Sequence, residues 1–470
     1  MPEIQVRHFG NTANNAYYNA ILLQRYADIG SELPIRMFGL RHGISAPAWE
    51  AVDFEVPDAA WVHRPDWTVI PGATAINAEY SDLPVSGSTT AADSPLPSTG
   101  LAGSAMSLAR TLIQPMHGKR WAQPLFELSY RWVLSRRSAL QQGTDAIDIL
   151  YGGDSMINFR VPEESQRTVC LEHGTVRWIA DGDRETGVFR SEYRRQVQAA
   201  RHLWVTNLDP RTLEIAEDVA PGRWSALPHP FVPDPRVPFS GSMQKRQELL
   251  DLTGSETLIL LPSSQNWSKH HDKGSKKALS AFIELRRQGV NVGLVAVEWG
   301  LQVAESKAFL EKAGVAGNVA WVLPMARFGL QRMMADVDVV WDQFGLDAFG
   351  ALALRAVEQG TPLVSRGLTP IGEALIGGAV PWTAATSTDD IVRESKGILE
   401  QMSRLGRETV IQQTRARYRG WLLDRHSPEL TAALQQELYS RVLDGTFEPG
   451  TATPDRWARM LNKSAGEETS

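Results

Sequence analysis

Between residues 228 and 238 the chain carries five prolines, Pro228, Pro230, Pro233, Pro235 and Pro238, a density that no helix interior or central strand tolerates. The stretch reads as a linker, and the same alternation of strand and helix runs on both sides of it. Before it, strands are expected at 4–9, 147–151, 168–172 and 202–206, with helices at about 16–29 and 189–200. After it, strands are expected at 257–261, 290–297, 319–322, 337–341 and 362–365, and helices at 276–288, 306–313 and 351–359. Repeated strand–helix units predict parallel, doubly wound sheets, so the fold class is α/β with two Rossmann-like domains. At 470 residues the chain also exceeds what one hydrophobic core usually serves.

The expected domains are 1–235, with a mobile Ser/Pro/Gly-rich insertion at about 81–104, and 236–425. A helix at about 428–443 follows within a segment 426–445, then a polar tail at 446–470. In doubly wound sheets ligands bind beyond the carboxyl ends of the strands, which directs attention to the loops there.

A formal net charge of −6 supplies no overall cationic field, which argues against a nucleic-acid partner. Cys170, the single cysteine, lies in an apolar run and forms no intramolecular disulfide, which fits a reducing compartment. No signal-peptide pattern opens the chain and no apolar run reaches about 18 residues, so a cytoplasmic protein is expected. In 117–137, Lys119, Arg120, Arg131, Arg136 and Arg137 alternate with Trp121, Phe126, Tyr130 and Trp132. Such a helix suits peripheral contact with an anionic inner membrane face, or packs on the first domain with a solvated basic edge. His270, His271 and Asp272 are consecutive and lack the spacing of metal ligands, and neither a phosphate-binding Walker loop nor a Gly-x-Ser-x-Gly elbow is present.

The most informative stretch is Asp347-Ala348-Phe349-Gly350-Ala351-Leu352-Ala353-Leu354-Arg355-Ala356-Val357-Glu358-Gln359-Gly360-Thr361-Pro362-Leu363-Val364. A Phe-Gly turn that opens a helix leaves backbone N–H groups free, and these, with the helix dipole, bind a diphosphate. The pattern resembles the signature of GT-B fold glycosyltransferases of family 4: an acid, Gly-Phe-Gly, an apolar helix with a second acid, then Gly-x-Pro-x-Val. Lys273-Gly274 matches the Lys-Gly of an upstream family motif, whose Arg position reads Ser or Gln here, with Lys269 as a substitute cation. Leu171-Glu172-His173-Gly174 matches the strand end where the family keeps a His.

The resemblance implies a retaining transfer of sugar from a nucleotide diphosphate sugar to an acceptor hydroxyl, lipid-linked or other, with no metal or other cofactor. Polysaccharide, glycolipid or glycoconjugate synthesis is the implied setting. It assigns His173, Lys273 and Asp347 to catalysis, and Lys269, Phe349, Gly350, Ala351, Leu352, Arg355 and Glu358 to the donor. Gly10, Asn11, Asn14 and Asn15 fall on the acceptor side. Relatives have an acid where Arg355 stands. A guanidinium only donates and cannot accept from a ribose diol. A non-catalytic binding partner and a GT-B epimerase or phosphorylase therefore stay open as alternatives.

Overall fold

The computed structural model describes residues 4–9, 15–27, 29–34 and 62–63, a few positions between 124 and 140, and most of 146–446. Within that last range, 153–158, 163–164, 173–175, 181–186, 235, 268–271 and 326 lie outside the described residues. The expected insertion at 81–104 and the tail beyond 446 also lie outside them. The chain divides into two compact units. The first comprises Met1–Thr206, Arg211–Val232 and Ala432–Thr453, and the second Asn207–Pro210, Pro233–Thr431 and Pro454–Ser470.

In the first unit the strands are β1 (Gln5–Phe9), β2 (Gly30–Pro34), β3 (Val62–His63), β4 (Ser138–Ala139), β5 (Ile147–Tyr151), β6 (Phe159–Arg160), β7 (Thr168–Glu172), β8 (His202–Val205) and β9 (Trp224–Ala226). Seven of them form a parallel sheet in the order β3-β2-β1-β5-β7-β8-β9, while β4 and β6 pair separately. Helices α1 (Asn15–Tyr26), α2 (Gly187–Ala199) and α3 (Pro210–Val219) connect them. Every residue of β5, β7 and β8 is buried, as expected for parallel strands covered on both faces.

A polar chain runs through this core. Asn19 Nδ2 donates to the Tyr151 hydroxyl (2.9 Å), which lies 2.7 Å from His8 Nδ1. Burial pushes the His8 pKa down to about 3, so its imidazole is neutral. The helix at Pro428–Asp444, numbered α12 below, joins the same core with Leu434, Leu438, Tyr439 and Val442 buried. Its Tyr439 hydroxyl donates to Gln435 Oε1 (2.7 Å). Cys170 is buried nearby and burial raises its thiol pKa to about 12, which makes it an inert packing residue.

The second unit holds β10 (Thr257–Leu261), β11 (Val292–Val297), β12 (Val319–Val322), β13 (Val339–Trp341), β14 (Leu363–Ser365) and β15 (Thr383–Ala384). They form one parallel sheet in the order β12-β11-β10-β13-β14-β15. The chain starts at the centre, runs outward through β11 and β12, then returns to β13 on the other side of β10. The strand order reverses between β10 and β13, and that reversal opens a crevice at the carboxyl ends.

The helices here are α4 (Met243–Thr253), α5 (Ser275–Arg287), α6 (Val303–Lys312), α7 (Arg327–Asp336), α8 (Ala351–Gln359), α9 (Pro370–Leu375), α10 (Thr388–Leu405) and α11 (Arg407–His426), followed by α12. Ile259, Leu261, Phe282, Leu294, Trp341 and Phe344 belong to the central core. The sequence reading passes from 365 to 428 without an element, yet α9, β15, α10 and α11 lie in that span. Val410, Ile411, Thr414, Tyr418 and Leu422 are the buried stripe of α11, too narrow to stand out among its charged neighbours.

Truncating Tyr439, which is fully buried in the first unit, should cost about 3–5 kcal/mol. Calorimetry of Tyr439→Ala should show the loss in the transition of that unit.

Candidate active site

Two loops meet at the reversal between β10 and β13. The loop after β10 ends at Lys273 and Gly274, and Gly274 N-caps α5 in the left-handed conformation (φ 80°). The loop after β13 runs through Phe344 and Gly345. Phe344 N–H donates to the Lys273 carbonyl (2.6 Å), and Gly274 N–H donates to Asp272 Oδ1 (2.7 Å). A Cβ at Gly274 would lie 2.7 Å from the Phe344 carbonyl carbon and 2.8 Å from the Gly345 nitrogen, and one at Gly345 would overlap the Asp272 carbonyl oxygen. The two glycines are needed because the backbones touch.

Lys277, one turn into α5, clamps the same junction: its ammonium donates to the carbonyls of Phe344 (3.1 Å) and Thr386 (2.7 Å). Its pKa is lowered, by burial first and then by Arg366. Beneath the junction, Asp342 is 4% exposed at the end of β13, and Ser263, beyond the end of β10, donates to its Oδ1 (3.2 Å) across the reversal. Burial pushes the Asp342 carboxyl up, against the opposing pull of the Lys273 ammonium.

The loop then delivers Asp347, Phe349 and Gly350. Gln343 Nε2 donates to the Ala348 carbonyl and holds the turn. The Phe349 ring is buried against Trp382, Trp421 and His426, so this turn presents backbone rather than an aromatic face. Gly350 caps α8 with no side-chain hydrogen bond, and its carbonyl takes the N–H groups of Ala353 (3.1 Å) and Leu354 (3.4 Å). The N–H groups of Ala351 and Leu352 therefore have no place in the helical ladder, and a Cβ at Gly350 would meet nothing within 4 Å. Free donors, a helix dipole and open space are the features that an anion site requires.

Arg355 and Glu358 turn inward. Arg355 is 5% exposed and its Nη1 pairs with Glu358 Oε2 (3.0 Å). Gln331 Nε2 donates to the same oxygen (2.7 Å), and Asp234 N–H donates to Glu358 Oε1. Both Glu358 oxygens are thus spent on tying α8 to α7 and to the linker. This explains the departure at 355: the guanidinium is a counter-ion inside the unit.

Sequence reasoning missed Arg366, whose guanidinium engages both Asp347 oxygens, Nη2 reaching Oδ2 at 2.9 Å. It also missed Asp342 and Lys277. None sits in a family-like motif; only their position at strand and helix ends marks them. Lys273, Asp347, Gly350, Ala351 and Leu352 all lie in the second unit, on the two loops that meet at the Lys273–Phe344 junction and at the start of α8. His173, Lys269, Gly10, Asn11 and Asn14 lie outside the described residues, as does the side chain of Asn15, the first residue of α1. Glu172, beside His173, is buried and accepts from Val176 N–H (2.6 Å).

Of the basic segment 117–137 only scattered positions are described. Glu127 there accepts from the first N–H groups of α2, at Gly187 (2.6 Å) and Val188 (3.1 Å), while Leu128 is 66% exposed. Among the described residues no helix is long and apolar enough to cross a membrane.

No known sequence family matches the chain, and no curated protein matches it closely. Solved structures do. HepE of Anabaena, crystallised with UDP and glucose, superposes with a TM-score of 0.52 at 11% identity, over 93% of this chain and 100% of that one. The fold is GT-B. The same HepE with UDP-glucose gives a TM-score of 0.52. WaaG, a glycosyltransferase of lipopolysaccharide biosynthesis, matches 93% of this chain and 99% of its own at 12% identity, with a TM-score of 0.46.

Two outcomes test the geometry. Gly274→Ala should cost about 2–4 kcal/mol through backbone strain and overlap. Gly289→Ala, equally left-handed (φ 78°) but facing open space, should cost only about 1 kcal/mol. Denaturant melts of both variants separate the two terms. Because the folded Asp342 pKa is raised, the stability it contributes is present in acid and lost as pH rises through the folded value. Asp342→Asn should therefore raise the melting temperature at pH 7–8, and the gain should fade as pH falls toward the ordinary carboxylate range.

Proposed function

We propose that the chain is a nucleotide-sugar-dependent glycosyltransferase that moves a sugar from a nucleoside diphosphate to an acceptor hydroxyl with retention of configuration. The observation that carries the reading is the open N-terminus of α8 at Gly350–Leu352, at the carboxyl end of a doubly wound sheet and in one unit with Lys273. A diphosphate placed there gains the free N–H groups, the helix dipole and an ammonium, all of which act more strongly as charge builds on the departing phosphate. UDP and UDP-glucose were bound in HepE, a protein of the same fold, which favours a uridine nucleotide as the first donor to try.

The family resemblance adds His173 as the residue beside the reacting sugar, Lys269 as a further cation, and the loop of Gly10, Asn11, Asn14 and Asn15 on the acceptor side. Retention and a role in polysaccharide, glycolipid or glycoconjugate synthesis rest on that resemblance. A cytoplasmic setting rests on the lone Cys170 and the lack of a long apolar run, and a membrane-facing segment at 117–137 on its interleaved basic and aromatic residues. The first domain is assigned to the acceptor and 236–425 to the donor.

Thermal denaturation of the purified protein with UDP, GDP, ADP, CDP and TDP, free and as sugar conjugates, tests the reading. One base, and its sugar conjugate, should raise the melting temperature by several degrees at saturating concentration. No shift with any of them would remove the donor site. In a turnover assay with the donor so identified, Lys273→Ala should lower kcat by about 10²-fold with unchanged melting of the ligand-free protein. Equal turnover would take Lys273 out of the site.

A further inference from the structure

The cations around the α8 N-terminus differ in what their donors are doing. Lys277 has given its ammonium to two carbonyls and is a strut. Arg355 is locked to Glu358 inside the unit. Lys273 offers one point charge beside the buried Asp342. Arg366 is different. It follows β14, the strand next to β13, and its backbone N–H is fixed to the Gln343 carbonyl (2.9 Å). Its side chain is 26% exposed, against 29% for Asp347.

A guanidinium has five N–H donors in a rigid plane. Arg366 commits Nε–H and one Nη2–H to the two oxygens of Asp347, and among the described residues nothing takes its Nη1 edge. The carboxylate fixes the plane of the group, and the open edge keeps the fork geometry that reads a phosphate bidentately. Asp347 stands three residues before Gly350, so this fork sits against the loop that leads into the free N–H groups of α8.

We infer that Arg366, oriented by Asp347, is the second cation for the donor's diphosphate, paired with Lys273 across the crevice. This deepens the nucleotide-sugar reading and rests on it. Asp347 then acts as the carboxylate that holds the arginine, a positioning residue and not the partner of sugar hydroxyls. Lysine is not an equivalent at 366, because one ammonium cannot span the Asp347 carboxylate and a phosphate with the same planar geometry.

Isothermal titration of the full chain with UDP, GDP, ADP, CDP and TDP provides the test, on wild type, Arg366→Ala, Arg366→Lys and Asp347→Asn, each first checked for unchanged melting without ligand. Wild type should bind one of the five. Arg366→Ala should weaken that nucleotide at least tenfold, Arg366→Lys should recover only part of the loss, and Asp347→Asn should fall between wild type and Arg366→Ala. If Arg366→Ala unfolds, Arg366→Lys carries the comparison. Wild-type affinity in Arg366→Ala or full rescue by Arg366→Lys would overturn the inference and leave the donor reading standing. Absence of binding by the wild type to all five would overturn both.

Discussion

The second unit depends on a contact between two glycines. Gly274 and Gly345 press backbone to backbone where β10 and β13 part, and the Phe344 N–H to Lys273 carbonyl bond closes the junction. Everything at the carboxyl end of the sheet is placed from there. Gly274 opens α5, which brings Lys277 back onto the Phe344 carbonyl, and the chain beyond Gly345 turns through Phe349 into α8. A side chain at either glycine would push the two loops apart, and with them the ammonium of Lys273 and the free N–H groups of Ala351 and Leu352.

Around that junction, charge is arranged so that few groups remain unsatisfied. Asp342 is buried against Ser263 and feels Lys273; Asp347 is gripped by Arg366; Glu358 is filled by Arg355, Gln331 and the Asp234 backbone. Each carboxylate has its counter-charge or donors before any ligand arrives, which low local dielectric demands of buried acids. Among the described residues, what is left over is donor capacity: the helix terminus, the Lys273 ammonium and the outer edge of a guanidinium. A site with surplus donors and no surplus acceptors suits an anion with many oxygens, and a diphosphate is such an anion.

Arg355 shows how a side chain in a legible segment finds its partners only in the fold. The turn, the apolar helix and the Gly360-Thr361-Pro362 exit are legible in the sequence, because each follows from local rules of capping and turn chemistry. Which face of α8 position 355 occupies is equally legible. That Glu358 waits three residues on, already bonded to α7 and the linker, is not, since it is set by residues more than twenty positions away. The same holds for Arg366 and Asp347, nineteen residues apart and joined only when β13 and β14 lie side by side.

The sequence by itself determined the α/β class, most strands of both sheets and the Phe-Gly turn into α8. These follow from periodicity, turn residues and proline stereochemistry, which act over a few bonds. It left α10 and α11 unread, although Ile391, Val392, Leu399 and Met402 of α10 and Val410, Ile411, Tyr418 and Leu422 of α11 are buried at helical spacing, because their many charged neighbours mask the stripes until a core lies beneath them. Tertiary structure alone decided the strand order β12-β11-β10-β13-β14-β15, the crevice that its reversal creates, and which charges face one another there. Coulombic and hydrogen-bonding partners are chosen by proximity in space, and only the packed sheet brings residues 263, 273, 342, 347 and 366 to one end.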